Sequence, residues 1–253
     1  MRRPSSPYGS SISFGPGPLS PALKALIGAN VIVFLLGWIS KEVFGSDLTW
    51  TLGLRPIALT SLPFPIWQLA TYMFVHANIF HILFNMLALW MFGTELERVW
   101  GTRYFLKFYF VTGIGAAALT VVLSLLPFDW AIGLRISNIV GASGAIYGLL
   151  LAYALYFPDR PIYMYLVFPI PAKYFVMIMG ALAFYSSLSD NSGVANMTHL
   201  GGLIVGYLYL KGARFRPLGE AKYWYLRWKM HRTRKKFDVY SGGRSNDWNR
   251  RIH

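Results

Sequence analysis

The sequence predicts an all-α membrane protein, a bundle of six transmembrane helices with both termini in the cytoplasm. Three observations predict this fold class: an apolar composition, six apolar segments of about spanning length, and a one-sided distribution of Lys and Arg. The chain has 253 residues, of which 55% are hydrophobic and 13% are charged. Its charged fraction is about half that of an ordinary soluble domain. We therefore expect the chain to insert into a lipid bilayer.

Six segments approach the roughly 20 apolar residues that a spanning helix needs. The last three are short and rich in glycine, but polar or proline-containing turns bound each of them. The predicted spans are 23–40, 69–92, 104–126, 141–157, 174–188 and 194–210. They define a six-helix domain at 22–210, between an N-terminal segment, 1–21, that is expected to be disordered and a basic tail, 211–253.

The positive charges predict the orientation, because cytoplasmic loops retain Lys and Arg. Of the 24 Lys and Arg residues, only Lys41, Arg55 and Arg135 fall in loops on the side opposite the termini. Both termini are therefore predicted to be cytoplasmic.

The basic tail explains much of the net charge of +14. Its mixture of basic and aromatic residues is compatible with nucleic-acid binding. A stretch of this kind directly after a spanning helix more often lies on an anionic membrane surface, so we expect the lipid bilayer and not nucleic acid as its partner. The chain has no cysteine, which excludes disulfides, thiol catalysis and thiolate metal sites.

Polar residues inside the apolar spans are the candidate functional residues, because such side chains are costly in hydrocarbon. They are His76, His81 and Asn85 in the second span, Ser143 in the fourth, and Thr198 and His199 in the sixth. These spans run in the same direction under the predicted topology. Counting at about 1.5 Å per residue places His81, Ser143 and His199 in one layer, roughly 18 to 21 Å above the cytoplasmic edge. Water entering from the outer face could reach that layer, and Asn85 lies one helical turn deeper.

Glycine stripes adjoin two of these polar residues. Gly144 and Gly148 follow Ser143, and Gly202 and Gly206 follow His199. Small residues at this spacing allow membrane helices to approach closely. The stripes therefore predict that the fourth and sixth spans pack together, although helix packing alone would also explain them.

Three motifs resemble those of the rhomboid family of intramembrane serine proteases. They are HAxxxHxxxN at 76–85, GxSGxxYG at 141–148 and HxxGxxxG at 199–206. The likeness runs from about Trp67 to Tyr207, and the segment 93–101 with Gly113 adds to it. Thr198 stands where alanine is usual, and the Trp-Arg pair common in the first external loop is not seen. The resemblance implies the minimal six-helix form of the fold.

The residues predict a catalytic dyad for peptide hydrolysis. Ser143 would be the nucleophile and His199 the general base, then acid. We interpret Asp190 as solvated, so the dyad has no carboxylate partner. Tyr147, one turn below Ser143, could stack on the His199 ring, as the resemblance also implies, or serve only in packing. The oxyanion would be stabilised by the Ser143 backbone N–H together with the two side chains His81 and Asn85.

We expect no cofactor and no metal; a zinc site built from His76, His81 and His199 is the poorer alternative because no HExxH motif is present. His76 and Asn78 are assigned to anchoring the loop. The expected substrates are single-span membrane proteins, cleaved after a small residue as the resemblance implies. They would reach the site past the fifth helix and the loop at 189–196.

The expected location is a bacterial inner membrane, with the site open to the periplasmic face. Two alternatives from other functional classes remain. A non-catalytic rhomboid-like protein would bind membrane clients, but such relatives lack the Ser or the His. A small transporter would also carry polar residues and broken helices within the membrane.

Overall fold

A computed structural model describes residues 17–60, 63–164, 168–187 and 193–214 of the chain. The contacts group the chain up to Leu210 into one compact unit and Lys211–His253 into a second. Asp190, most of the predicted disordered segment and most of the basic tail lie outside the described residues, and those predictions stay predictions.

The described residues are predominantly helical. In chain order the elements are α1 (Pro21–Phe44), α2 (Thr49–Leu52), a 3₁₀ helix (Pro56–Thr60), α3 (Gln68–Thr71), a 3₁₀ helix (Tyr72–Phe74), α4 (Ile79–Trp100), α5 (Thr102–Ser124), α6 (Asp129–Ile136), α7 (Ser143–Tyr156), β1 (Pro161–Met164), β2 (Phe168–Pro171), α8 (Ala172–Ser187) and α9 (Gly193–Arg214).

Six of these helices correspond to the six predicted spans: α1, α4, α5, α7, α8 and α9. Within the described residues, α1, α4 and α5 are long and apolar enough to cross a membrane, and α7 is a shorter apolar helix. The mostly helical architecture agrees with the predicted fold class, whereas the count of six spans and the orientation stay predictions.

The predicted boundaries of the second span are wrong, because α4 begins at Ile79 and continues to Trp100. Residues 68–74 instead form two short helical pieces. Side chains fix these pieces to the loop that follows α1, which we call the first loop; for example, the Thr71 hydroxyl donates to the Leu52 carbonyl at 2.6 Å. Asn78 then caps α4 by accepting from the His81 N–H at 2.9 Å. At the other end the helix continues through Glu95 and Glu97, because both carboxylates have partners.

Three helices of the bundle, α4, α7 and α9, run in parallel. The residue numbers of contacting pairs rise together on α7 and α9, as parallel helices require: Gly202 faces Gly144, and Gly206 faces Gly148. Contacts with α4 do the same, from His81 beside Gly141 to the ion pair between Glu95 and Arg160. We call the end at which these helices begin the upper end, and the opposite end the lower end.

Loops at the upper end hold the start of α7 in place. Leu54 and Ile139 exchange two backbone hydrogen bonds of 2.8 and 2.9 Å, which join the first loop to the segment before α7. The Asn138 amide donates to the Thr49 carbonyl beside this bridge, at 3.1 Å. The first loop has no adjacent Trp-Arg pair in sequence, but the Arg55 guanidinium lies 4.8 Å from the Trp50 ring centroid.

At the lower end, two strands form an antiparallel hairpin between α7 and α8. The sequence analysis predicted only a proline-containing turn here. Three prolines in the two strands conceal the β pattern, because proline is rare in paired strands.

We expect Gly202→Ala to lower the free energy of unfolding by about 1–3 kcal/mol, the usual penalty for overpacking. A Cβ at Gly202 would collide with the Gly144 carbonyl oxygen, so α7 and α9 would have to separate. The measurement is unfolding in detergent micelles. Gly28→Ala is the matched control, since a Cβ there would meet no atom within 4 Å. Equal stability of the two variants would contradict a close contact between α7 and α9.

Candidate active site

Ser143 is the first residue of α7. The chain reaches it through Gly141, whose φ of +116° is a conformation that side-chain-bearing residues rarely adopt. A Cβ at Gly141 would also lie 2.7 Å from the His81 ring. Glycine is thus needed at position 141 for two reasons: the turn has a positive φ, and the His81 ring leaves no room for a side chain. The turn leaves the Ser143 N–H among the unpaired amides at the start of a helix.

His199 lies on α9 with its Nε2 at 2.8 Å from the Ser143 Oγ. The approach of the two helices brings these atoms together, because Gly202, one turn further along α9, contacts the Gly144 backbone. Next to the histidine, the buried Thr198 hydroxyl lies 3.0 Å from that of Thr120 on α5. The threonine that departs from the usual alanine therefore joins α9 to α5.

Tyr147 stacks on the His199 ring. The two ring centroids are 4.3 Å apart and the ring planes differ by only 7°. Tyr147 lies one turn below Ser143 on the same face of α7. The phenol therefore limits rotation of the imidazole while its Nε2 faces the serine.

The other ring nitrogen of His199, Nδ1, is buried and has no hydrogen-bond partner among the described residues. If Nε2 is to accept the Ser143 proton, a neutral ring carries its own proton on Nδ1. No carboxylate of the described residues receives that N–H, and Asp190, which the sequence analysis interpreted as solvated, lies outside them. Within the described residues, stacking on Tyr147 limits the orientation of the ring.

His81 lies on α4 beside Gly141, and Asn85 lies one turn further along the same helix. A Cβ at Gly141 would be 2.7 Å from the His81 Nε2 and 3.6 Å from the Ser143 Oγ, so both side chains border this glycine. The Ala77 N–H lies 3.4 Å from the His81 Nδ1, which favours a neutral ring with its proton on Nε2. The Asn85 amide donates one N–H to the His81 carbonyl at 2.8 Å and keeps a second.

His76 and Asn78 precede α4 instead of lying within a span. Asn78 caps the helix, as described above. His76 is only 4% exposed, neither of its ring nitrogens has a partner among the described residues, and its ring centroid lies 5.0 Å from that of His81. It therefore buttresses the His81 ring edge-on.

Tyr72 is a residue that the sequence analysis missed. Its carbonyl accepts from the Gly141 N–H at 2.9 Å, and its hydroxyl donates to the Gly113 carbonyl of α5 at 2.7 Å. It thus fixes the turn before Ser143 to a neighbouring helix. The available signal was a tyrosine within an apolar segment, since its hydroxyl needs a partner if it is buried.

Metal binding finds no support in the part of the chain that the structure describes. No group of three or more His, Asp or Glu side chains lies close enough there to hold an ion. The arrangement offers a serine hydroxyl 2.8 Å from a histidine nitrogen, at the start of a helix, with the His81 ring beside the glycine two residues before the serine.

Comparisons with known proteins identify the family of the chain. The family model described as the Rhomboid domain matches residues 63–214, more than half of the chain. "Rhomboid protease GluP" of Bacillus subtilis is 38% identical over 143 residues, which cover 56% of this chain and 25% of the relative. "Rhomboid protease AarA" of Providencia stuartii is 34% identical over 155 residues, 56% of this chain and 54% of the relative.

A third relative, "Putative rhomboid protease YdcA" of Bacillus subtilis, is 34% identical over 147 residues, 56% of this chain and 64% of the relative. The matches thus span from a quarter to less than two thirds of these relatives' own lengths. Mitochondrial and plant proteins named rhomboid also match, including "Rhomboid protein 1, mitochondrial" of Saccharomyces cerevisiae at 31% identity. The region matched by the family model contains Ser143, the glycine stripes that follow Ser143 and His199, and the three histidines His76, His81 and His199. The chain belongs to the rhomboid family of integral membrane proteins.

Proposed function

We propose that the chain is an intramembrane serine endopeptidase that cleaves transmembrane segments of other membrane proteins with a Ser143–His199 dyad. The observation that carries the proposal is the 2.8 Å contact between the His199 Nε2 and the Ser143 Oγ. Three of the relatives above carry protease in their names, which supports the same reading. Rhomboid-like proteins without activity are expected to lack one of these two residues.

In the first step the Ser143 Oγ attacks the scissile carbonyl carbon while the His199 Nε2 takes the hydroxyl proton. The carbonyl oxygen becomes an oxyanion that three groups can meet: the Ser143 N–H, the His81 Nε2–H and the second N–H of Asn85. Collapse of the intermediate breaks the C–N bond, and His199 passes its proton to the leaving nitrogen. Oxyanion donors of this kind are typically worth about 10²–10³-fold in kcat each.

In the second step a water molecule attacks the acyl-enzyme carbonyl while His199 accepts a proton from it. The bond between the acyl carbon and the Ser143 Oγ then breaks, and His199 returns the proton to the serine. Because Tyr147 holds the imidazole in one plane, the same nitrogen can serve both steps.

The substrate must reach a site that lies within the bilayer plane. A helical segment has to unwind there, since its backbone hydrogen bonds otherwise protect the peptide bond. Access past α8 is part of the proposal. In support, only Ala172, Val176, Ala183 and Ser187 of this helix are buried. A single-span substrate, a bacterial inner membrane and a site open to the periplasmic face complete the proposal.

We expect Ser143→Ala and His199→Ala each to lower the rate of cleavage by at least about 10³-fold, because nucleophile and base act as a unit. The measurement is cleavage of a single-span model substrate by purified protein in detergent and in vesicles. Ser124→Ala is the matched control, since the Ser124 hydroxyl only donates to the Val121 carbonyl of its own helix. Equal cleavage by wild type and Ser143→Ala would refute the proposal.

Replacing Asn85 tests the oxyanion assignment. We expect Asn85→Ala to lower kcat by up to a few hundredfold, within the range for one lost donor, with little change in KM. Steady-state cleavage kinetics measure both, and thermal unfolding checks that the variant is folded. An unchanged kcat would remove Asn85 from the site.

Tyr147 tests whether the aromatic ring orients the histidine. Tyr147→Phe keeps the stacked ring and should retain nearly full kcat. Tyr147→Ala should lose about tenfold, in line with roughly 0.5–1.5 kcal/mol for an aromatic pair. If the two variants lost activity equally, the hydroxyl rather than the ring would be the important group.

A further inference from the structure

The β-hairpin at the lower end has no part in the site above. It directly connects α7 to α8, and both strands contact α8. Strand pairing starts at the base, where the Ala172 N–H donates to the Arg160 carbonyl at 2.9 Å. The register continues with Pro161 opposite Pro171 and Ile162 opposite Ile170. The hairpin is thus fixed against the first turn of a helix that belongs to the bundle.

The exposed side chains that the structure describes in the hairpin are prolines and aromatic residues. The segment 161–171 contains no charged residue. Ile162 is buried, but Tyr163 and Phe168 are 56% and 64% exposed. An isolated two-stranded hairpin is marginally stable in water, and exposed aromatic residues on an open strand edge invite aggregation. This surface is therefore better suited to a lipid environment than to water.

The backbone of the hairpin supports the same conclusion. Pro161 and Pro171 lie opposite each other, and neither has an N–H to donate to the other strand. They therefore form a non-hydrogen-bonded pair, whose backbone groups point away from the partner strand. Pairs alternate along the ladder, so the pair Tyr163 and Pro169 also points outward. Proline occupies three of these four outward positions. Only Tyr163 keeps an outward N–H there, whereas the outward carbonyls of all four residues still need partners, which the hydrated headgroup level can supply and the hydrocarbon interior cannot.

Charges next to the hairpin are paired. The Arg160 Nη1 donates to both oxygens of Glu95 at 2.7 and 2.8 Å, and Lys173 lies 2.7 Å from Asp159. These ion pairs are partly exposed and belong at the level of the lipid headgroups. Because the local charge is neutralised, binding of the hairpin to lipid would depend on apolar contact rather than on attraction to anionic headgroups.

We propose that the hairpin is an interfacial lipid-binding element. It lies in the headgroup–acyl boundary at the lower end of the bundle, with Tyr163 and Phe168 in contact with lipid, and it anchors the lower end of α8. Its partner is the membrane in which the helices sit. The proposal rests on the protein being membrane-embedded and does not depend on its catalytic activity.

The test uses the absence of native cysteine. Tyr163→Cys and Phe168→Cys are prepared separately, so that a folding defect in one leaves the other. Each is labelled with a nitroxide and reconstituted in phosphatidylcholine–phosphatidylglycerol vesicles. Collision rates with oxygen, which concentrates in lipid, and with a water-soluble nickel chelate report the depth of each label.

Two reference labels calibrate the measurement. Ile32→Cys, on the exposed face of α1, reports the apolar interior, and Asp159→Cys, whose side chain is 79% exposed, reports the headgroup–water side. We expect the labels at Tyr163 and Phe168 to favour oxygen severalfold more than the Asp159 label, at a depth of roughly 5–10 Å below the headgroups.

Two outcomes would overturn the proposal. Labels that are as accessible to the nickel chelate as the Asp159 label would place the hairpin in water. Labels protected from both reagents would place it against protein, either a second copy of the chain or another partner. Thermal unfolding in detergent verifies that each labelled variant is folded.

Discussion

The close approach of α7 and α9 is the contact on which the site depends. Gly202 fits directly on the backbone of Gly144, where no side chain would fit. In lipid the hydrophobic effect contributes little to the association of helices. Close van der Waals packing of small residues therefore has to stabilise the contact between α7 and α9. With that contact in place, Ser143 and His199 are within 2.8 Å of each other. The glycines thus determine the geometry of residues that carry the chemistry.

Buried polar side chains of the bundle fall into two groups, those that have a hydrogen-bond partner and those that have none among the described residues. On α5, the hydroxyls of Thr112 and Thr120 donate to carbonyls one turn back in their own helix. At the upper end, His76 and the Nδ1 of His199 remain buried without a partner among the described residues. Unsatisfied polar groups are costly in an apolar interior. Other buried atoms without a partner among the described residues lie away from Ser143, on Asn30, Trp100 and Tyr109, so such groups do not by themselves mark the site.

Much of this arrangement was predictable from the sequence. Helix period and depth placed Ser143, His199 and His81 in one layer, because length along parallel helices measures depth. The start of α4 was not predictable, since apolar content is the same for the short helical pieces at 68–74 and for the helix itself. The partners that allow α4 to continue through Glu95 and Glu97 include Arg160 and Ser20, which are distant in sequence. The partners of Tyr72, Gly113 and Gly141, were not predictable for the same reason.

The most direct test of the central claim is active-site labelling. The purified protein is treated with a fluorophosphonate, which reacts only with an activated serine hydroxyl, and the modified peptide is identified by mass spectrometry. The account predicts one adduct, on Ser143, in the wild type and its loss in His199→Ala. An adduct on another serine, or equal labelling of Ser143 in the folded His199→Ala variant, would contradict the dyad.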